Sequence, residues 1–468
     1  MTRNNLIFSH QATTGVAAHY VPHQCRPEEH NDEGPGVAEG PAYTPTATRQ
    51  HHTSISAHGA RISAMSYVAD LHTHSPYARG TSPQLTFENM ALWAKLKGID
   101  LLATGDFTHP AQLAEIRAKL HETGDGLFDL DGIQFVLGTE VNCSAKQAGR
   151  LRRVHVLVFA PDLEAVASIN STLDNHGKLA SDGRPTVHMT PRDLLETLLG
   201  IDERCFIIPA HLWTPHFGLY GEKSGFDSLA ECFGDLASYV PTIETGLSSD
   251  PAMNWRVPSL DGVSIVSFSD AHSLPKLGRE LTVFLGEPSY DGLLDSLRNQ
   301  AIEYTLEMFP EEGKYHHAGH RKCALRLSPQ EAAATGERCP KCGRKLTSGV
   351  MQRIEGLAKR IVSTNIGDDG LIHGDDGRPP FRTMIALRQI IAESLGRGVE
   401  TKAVASAYHK LVEELLGELQ VLTKVPASAI ESIAGERVAE GVVRARMENV
   451  TISPGFDGEY GHVRIWPD

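Results

Sequence analysis

The sequence lacks three features that define large protein classes. It has no apolar run long enough to cross a bilayer, and its first residues do not follow the charged-then-apolar order of a secretory signal. It has no Gly-x-x-x-x-Gly-Lys-Ser/Thr loop, which excludes a phosphate-loop ATPase motor. It also lacks positive charge. The formal net charge is −14, so only local basic patches or metal ions could hold a nucleic acid.

Cysteine is scarce, whereas histidine is abundant. Seven cysteines, an odd number, fit a reducing cytoplasm and a metal site better than a disulfide framework. The 23 histidines supply many candidate metal ligands. A length of 468 residues predicts two or three domains.

The first 65 residues are polar and show no hydrophobic period, so we predict that they are disordered. We do not expect His51, His52 and His58 to bind metal. Met65 directly precedes the first predicted strand and could be an alternative start of translation.

From Tyr67 to about Pro310, short apolar strands alternate with helical segments such as Phe87–Lys97 and Tyr290–Asn299. This alternation predicts an α/β fold with a parallel sheet or barrel, whose active site lies at the carboxyl ends of the strands. The predicted strands are Val68–Leu71, Leu101–Thr104, Gln134–Thr139, Arg153–Phe159, Phe206–Pro209, Thr242–Thr245 and Ser264–Ser267.

Nearly every predicted strand carries His, Asp or Glu at or near its end. These residues are His72 and His74, Asp106 and His109, Glu140, His155, His211, Glu244, and Asp270 and His272. Strand-end polar residues often only cap helices, but so many in one register predict a multinuclear centre of Zn, Mn or Fe. Glu140 is the best bridging carboxylate, because it ends a central strand between two His-bearing neighbours. Two bridged metals suit phosphoryl transfer.

Five of these motifs, in this order, resemble the polymerase-and-histidinol-phosphatase (PHP) family. They are Asp70-Leu-His-Thr-His-Ser75, Thr104-Gly-Asp-Phe-Thr-His109, Gly138-Thr-Glu140, Pro209-Ala-His211 and Ser269-Asp-Ala-His272. Longer runs resemble the endonuclease Q family more narrowly, from about residue 67 to the C-terminus. They include Trp213-Thr-Pro-His-Phe217, Ser224-Gly-Phe-Asp-Ser228, residues 244–256 and Phe309-Pro-Glu-Glu-Gly-Lys-Tyr-His316.

The resemblance implies a distorted (β/α)7 PHP barrel with three metal ions. It also implies a DNA repair endonuclease, a hydrolase that nicks on the 5′ side of deoxyuridine, deoxyinosine or abasic sites. By position, His72, His74, Glu140 and Asp270 would hold one ion and act in catalysis, and Glu140, His155 and His211 would hold a second. His272, with Asp106 and His109, would hold a third. The ions would be Zn, Mn, Mg or Fe.

One position departs from the family pattern. Many relatives have His directly after the aspartate of the second motif, where this chain has Phe107. Either His109 replaces that ligand, or the third metal site is weak.

The segment after the barrel carries a Cys-x2-Cys pair, Cys339 and Cys342, preceded by His320 and Cys323. This spacing predicts one structural zinc in residues 311–352, with His320 as fourth ligand and His316 and His317 as reserves. Arg321 and Lys322 belong to a basic patch that could bind DNA phosphates or could simply be solvated.

Residues 353–468 read as mainly helical, with Phe381–Leu395 and Thr401–Leu422 as the longest periodic segments. Residues 430–446 resemble part of a helix-hairpin-helix, which contacts phosphates without reading sequence, although an ordinary helix pair fits equally well.

Residues that follow the fifth strand could line a pocket for a base turned out of the duplex. They are Trp213, His216, Phe217, Ser224, Gly225 and Phe226. Packing over the barrel rim is the alternative reading.

Three other functions stay open at this point. A small-molecule phosphoesterase, such as a histidinol phosphatase, would use the same metals but would not need the zinc knuckle or the C-terminal helices. A non-catalytic nucleic-acid-binding module is disfavoured by the near-complete ligand set. A helicase-associated protein is the third. For the endonuclease we expect damaged DNA as partner, replication or repair proteins as further partners, no membrane, and a cytoplasmic location.

Overall fold

The computed structural model describes residues 65–223, 225–375 and 377–467. The predicted disorder of residues 1–64, and the three histidines there, lie outside the described residues. No helix of the described part is both long and apolar enough to cross a membrane.

The N-terminal part of the fold is rich in strands. Its elements are β1 (Ser66–Asp70), α1 (Phe87–Lys97), β2 (Leu101–Ala103), α2 (Pro110–Lys119), β3 (His121–Glu122), β4 (Phe128–Leu130), β5 (Ile133–Val136), β6 (Gly138–Gln147) and β7 (Arg150–Phe159). They continue with α3 (Leu163–Leu173), β8 (Thr186–Val187), α4 (Pro191–Ile201), β9 (Phe206–Pro209), α5 (Leu229–Phe233), β10 (Thr242–Glu244), α6 (Pro251–Trp255), β11 (Ser264–Val266), β12 (Leu281–Leu285), α7 (Tyr290–Asn299) and β13 (Ile302–Glu307).

Short hairpins and then helices follow. The elements are β14 (Ala318–His320), β15 (Leu325–Leu327), α8 (Pro329–Thr335), α9 (Val350–Leu357), β16 (Thr364–Ile366), β17 (Ile372–Gly374), β18 (Phe381–Thr383), α10 (Leu387–Leu395), α11 (Lys402–Glu414), α12 (Glu418–Thr423), α13 (Ala427–Ala434), α14 (Glu436–Arg446), β19 (Thr451–Ser453) and β20 (His462–Arg464).

Local sequence explains where the first helix begins and ends. The Thr86 hydroxyl accepts a hydrogen bond from the Asn89 N–H and so caps the N-terminus of α1. Gly98, at φ 80°, ends the helix in the left-handed conformation that glycine adopts at low cost. Both α1 and α7 are confirmed at the predicted residues.

Strand direction is mixed, whereas the alternation of strands and helices predicted a parallel sheet or barrel. Strands β1, β2 and β5 run parallel to one another, as do β10 and β11. Strand β7 runs antiparallel to both β6 and β9, and β12 runs antiparallel to β1. The β6–β7 pair is antiparallel because Ala148 and Gly149, both at positive φ, join these two strands in a tight hairpin.

The main sheet has ten strands in the order β16-β17-β18-β13-β12-β1-β2-β5-β4-β3, and β8-β6-β7-β9 form a second sheet. The described fold is therefore mixed α/β. Closure into a seven-stranded barrel and the domain boundaries at residues 310 and 352 stay predictions.

The C-terminal part differs in detail from the predicted pattern. The helix expected from Phe381 begins only at Leu387, because residues 381–383 pair with β13 as strand β18. Strands β16 and β17 form an antiparallel hairpin within the segment that was predicted to be mainly helical. The long helix expected over 401–422 breaks where Leu416 and Gly417 adopt positive φ.

Candidate metal centre

The two ligand motifs that are farthest apart in the sequence lie side by side in the structure. Strand β1 delivers His72 and His74, and the segment after β11 delivers Asp270. An isolated parallel bridge between Thr73 and Ala271 fixes the two segments against each other. Asp70 strengthens this junction, since its carboxylate accepts the backbone N–H groups of Ser269 at 3.0 Å and Gly278 at 2.9 Å.

A first ligand group consists of His72, His74, Glu140 and Asp270. His72 Nε2 lies 3.5 Å from both Glu140 Oε2 and Asp270 Oδ1. His74 Nε2 lies 3.4 Å from Glu140 Oε2 and 3.1 Å from Asp270 Oδ1. Ligand atoms about 2.0–2.2 Å from one tetrahedral ion are separated by about 3.3–3.6 Å, so these distances fit a shared metal.

A second ligand group consists of Glu140, His155 and His211. Glu140 Oε1 lies 2.7 Å from His155 Nδ1 and 3.3 Å from His211 Nε2. The two oxygens of Glu140 thus face different ligand groups, which is the geometry of a bridging carboxylate. The buried atoms Glu140 Oε1 and His72 Nε2 make no hydrogen bond of acceptable geometry, as expected of metal ligands.

The electrostatics of the first group also favour a cation. Burial lowers the pKa of His72, but the carboxylates of Glu244, Asp270 and Glu140 outweigh burial and raise that pKa well above its ordinary value. Burial raises the pKa of Glu140, but nearby His155, His72 and Arg184 hold it well below the ordinary range. The carboxylates of Glu140 and Asp270 therefore make the first ligand group negatively charged, which favours the binding of a cation there.

The second group behaves differently. Burial lowers the pKa of His155 to about 4, although Glu140 acts in the opposite direction. A neutral imidazole is the form that binds a metal. The ring of Phe217 stacks on His155 with centroids 4.5 Å apart, and the Phe217 carbonyl accepts the His155 backbone N–H.

Two further carboxylates orient the histidines. Glu244 Oε1 lies 2.9 Å from His72 Nδ1, and Glu244 Oε2 accepts the backbone N–H of His211 at 2.6 Å. Asp106 Oδ1 lies 3.1 Å from His74 Nδ1. Carboxylates at Nδ1 leave Nε2 of each ring directed at the ion and raise the basicity of the ligand.

The third predicted metal site is not brought together in the described structure. Asp106 Oδ2 accepts hydrogen bonds from the backbone N–H and the hydroxyl of Ser75. His109 Nδ1 accepts the Ala111 N–H and so caps α2, while His272 Nδ1 lies 2.9 Å from the Asp270 carbonyl. Within the described ranges, these residues form no further group of three converging ligand atoms. Asp106 therefore orients His74 in this structure.

Two residues near the ligands were not predicted to act in the site. Glu244 was noted only as a strand-end carboxylate. Arg184, whose Nη1 donates to Glu140 Oε2 at 3.1 Å, lies on the loop between α3 and β8, where no sequence motif marks it. Only the tertiary fold brings it to the site.

The residues predicted to line a base pocket separate into two sets. Trp213 and Phe226 are each 1% exposed; the Trp213 indole N–H donates to Asn254, and Arg152 covers the Phe226 ring. These two side chains pack the interior, so the rim-packing alternative holds for them. Gly225 is also buried, His216 is exposed, and Ser224 lies outside the described residues.

Replacing Glu244 with glutamine should lower metal affinity about 10- to 100-fold, because an amide cannot accept both the His72 and the His211 N–H groups. Isothermal titration calorimetry with the metal ion measures this loss of affinity. Glu303→Gln, on the exposed face of β13, is the matched control. Equal affinities for both variants would contradict the orienting role of Glu244.

A separate group of ligand atoms belongs to His320, Cys323, Cys339 and Cys342. Cys342 Sγ lies 3.5 Å from His320 Nδ1. The Gly343 N–H donates to the Cys339 carbonyl at 2.8 Å, which folds the Cys-x2-Cys segment into a tight turn. The donor set suits a tetrahedral zinc. Arg321 and Lys322 are exposed beside it.

Replacing Cys339 with serine should remove about one equivalent of bound zinc per chain, since structural zinc requires its four ligands together. Atomic emission counts the zinc, and limited proteolysis should cut residues 318–346 faster. Cys232→Ala, at a buried cysteine far along the chain from these ligands, should keep the zinc. Retained zinc in Cys339→Ser would refute the assignment.

Comparisons with known proteins identify several relatives of this chain. The family model of the MJ0043 C-terminal domain matches residues 386–449. The uncharacterized protein MJ0043 of Methanocaldococcus jannaschii is 30% identical over 279 residues, which cover 58% of this chain and 32% of that protein. This chain therefore spans about a third of that relative. The uncharacterized protein YqxK of Bacillus subtilis is 27% identical over 391 residues, covering 79% and 89%.

Two solved structures match over most of the chain. The lesion-specific endonuclease PfuEndoQ from Pyrococcus furiosus is 31% identical, with a TM-score of 0.75, covering 86% of this chain and 95% of that one. Endonuclease Q in complex with a 27-mer duplex substrate, which has an abasic lesion at the active site, is 31% identical, with a TM-score of 0.74 and coverages of 86% and 96%. The chain belongs to the endonuclease Q family.

Proposed function

We propose that the chain is a metal-dependent DNA repair endonuclease that hydrolyses the phosphodiester on the 5′ side of deaminated or abasic nucleotides. The pair of buried ligand groups that share Glu140 carries this proposal, because two bridged ions suit phosphoryl transfer. The endonuclease Q complex with an abasic lesion at its active site supports damaged duplex DNA as the substrate.

The proposal assigns the ligands to two metal positions that share Glu140. His72, His74, Glu140 and Asp270 would hold one divalent ion, and Glu140, His155 and His211 would hold a second. When bound, such ions supply an activated water and positive charge around the phosphate. The ions are Zn, Mn, Mg or Fe. The ligand distances support two sites more strongly than three.

Arg184 is the positively charged side chain that contacts Glu140. Its side chain is 24% exposed and faces an open groove that Arg79, Lys178 and His188 also line. Two ions held by the ligand groups that share Glu140 would add positive charge beside Arg184, which a substrate phosphate would balance. We assign Arg184 to an oxygen of the scissile phosphate, since guanidinium pairs well with phosphate.

The segments outside the metal centre would hold the duplex. We propose a metal-dependent nuclease domain at 66–310, a zinc knuckle at 311–352 and a helical domain at 353–468. The exposed Arg321 and Lys322 would contact backbone phosphates. Helices α13 and α14, joined at Gly435, would contribute a helix-hairpin-helix contact.

A nicking assay tests the function. End-labelled duplexes carry one deoxyuridine, one deoxyinosine, one abasic site or no lesion, each with Mg, Mn or Zn. Asp270→Asn is compared with the wild-type protein and with Asp261→Asn, a carboxylate remote from the ligands that pairs with Arg360. Cuts just 5′ of the lesion with wild type and Asp261→Asn, but not with Asp270→Asn, are the expected result.

Two other outcomes decide against the proposal. Metal-dependent release of phosphate from small esters, without cutting of DNA, would identify a phosphatase of the histidinol phosphatase kind. Lesion-selective DNA binding without any hydrolysis would identify a binding protein or one that depends on a partner.

A further inference from the structure

An exposed aromatic pair lies on the loops that carry the metal ligands. Tyr77, three residues after His74, is 37% exposed. Its ring stacks on the His109 ring with centroids 4.8 Å apart and 8° between the planes. A flat, partly exposed ring backed by a second ring is the arrangement that binds a nucleobase by stacking.

Hydrogen bonds tie this pair to the first ligand group. The Tyr77 N–H donates to Ser75 Oγ at 3.2 Å, and Ser75 Oγ donates to Asp106 at 2.6 Å. Asp106 in turn orients His74, and its carbonyl accepts the His109 N–H at 2.9 Å. The two rings and the histidine ligand therefore belong to one hydrogen-bonded unit.

The same pair is joined to the loop of Arg184. The Gly183 N–H donates to the Tyr77 carbonyl at 3.0 Å, and the next residue, Arg184, contacts Glu140. A Cβ atom on Gly183 would lie 2.3 Å from Asp106 Oδ2, so only glycine allows the loops to approach this closely. The aromatic pair thus flanks the position assigned to the scissile phosphate.

We propose that the Tyr77–His109 pair is the stacking platform for the base of the damaged nucleotide, an inference that rests on the proposed endonuclease function. Cleavage on the 5′ side puts the 5′ phosphate of the damaged nucleotide at the metal ligands, so the base of that nucleotide is the one nearest to Tyr77. Trp213 and Phe226, buried in the interior, do not offer a free ring face.

The test uses two duplexes of one sequence, one with deoxyuridine and one with a tetrahydrofuran abasic analogue that has no base. Dissociation constants are measured by fluorescence anisotropy for Tyr77, Tyr77→Ala and Tyr77→Phe proteins that all carry Asp270→Asn, which should not nick the DNA. Nicking rates are measured with metal for the same Tyr77 variants with an intact Asp270. Tyr77→Ala should weaken deoxyuridine binding about tenfold or more, from the loss of one stacked base, and should leave the abasic duplex within about twofold. Tyr77→Phe should behave like wild type on both duplexes.

The abasic duplex also reports folding of Tyr77→Ala, because the same protein sample must bind it normally. Equal losses on both duplexes, or no loss on either, would overturn the platform. Failure of the proposed function looks different, since wild-type protein itself would then neither prefer damaged duplexes nor nick them.

Discussion

Glu140→Gln should lose both metal ions and nick damaged DNA at least about a hundredfold more slowly, since residues that only support a ligand already cost 10- to 100-fold. Each oxygen of Glu140 faces a different ligand group, and the charged neighbours keep its pKa low, so the side chain is anionic. A glutamine keeps the shape but presents an N–H2 group to one of the two groups. It therefore removes the bridge, takes an anionic ligand away from both groups, and repels the ion of the group that faces the amide nitrogen.

The measurement combines metal counting by mass spectrometry with single-turnover nicking rates. Asp270→Asn is the informative comparison, because Asp270 belongs only to the first ligand group and its loss should spare the second ion. Glu164→Gln, on the exposed face of α3, should match the wild-type protein. Two ions per chain in Glu140→Gln, counted in addition to the structural zinc, would exclude the bridging role.

Lys97→Met should lower the free energy of unfolding by about 3–5 kcal/mol, the cost of leaving one partner of a buried ion pair uncompensated. Lys97 Nζ lies 2.6 Å from Glu418 Oε2, and both side chains are almost fully buried. Lys97 also donates to the Pro275 carbonyl at 3.1 Å, and Tyr408 donates to Glu418 at 2.6 Å. The pair therefore joins α1 to the C-terminal helices and to the segment that follows Asp270.

Urea unfolding followed by circular dichroism gives the loss. The double variant Lys97→Met/Glu418→Leu should be more stable than Lys97→Met alone, because it removes the orphaned charge as well. The matched control is Lys119→Met, which breaks partly exposed ion pairs with Glu88 and Glu115 and should cost about 1 kcal/mol or less. Equal costs for Lys97→Met and Lys119→Met would contradict the importance of the buried pair.

The sequence predicted where the candidate ligands lie along the chain better than it predicted the direction in which each strand runs. Strand-end polar residues identified His72, His74, Glu140, His155, His211 and Asp270, which the structure gathers into two groups, because hydrophobic runs locate strands and the residues after them. It did not predict the reversal of β7, since Ala148-Gly149 is a weak hairpin signal that takes effect only through its backbone conformation.

Several predicted site residues have partners in the structure that their residue type does not reveal. His109 and Asp106 are of the right chemical type for metal ligands, and their place in a third metal site stays a prediction. In the structure His109 Nδ1 accepts a hydrogen bond at a helix terminus, and Asp106 Oδ2 accepts two hydrogen bonds from Ser75. Trp213 and Phe226 are aromatic in the expected segment, yet the core encloses them. Arg184 reaches Glu140 from a loop whose place depends on long-range packing. Residue type cannot distinguish these uses, because burial and partner choice are set by the tertiary fold.

The central place of β1 has a consequence for synthesis of the chain. Its antiparallel neighbour is β12, and His74 and Asp270 are 196 positions apart. At about 5–20 residues per second, the ribosome needs about 10–40 s to make the intervening segment. During that interval His72 and His74 have neither Asp270 nor one edge of their strand. The nascent chain therefore gains its full first ligand group only when synthesis has passed β12. This delays metal binding by that group, and with it the proposed cutting of DNA, until the fold around the site is complete.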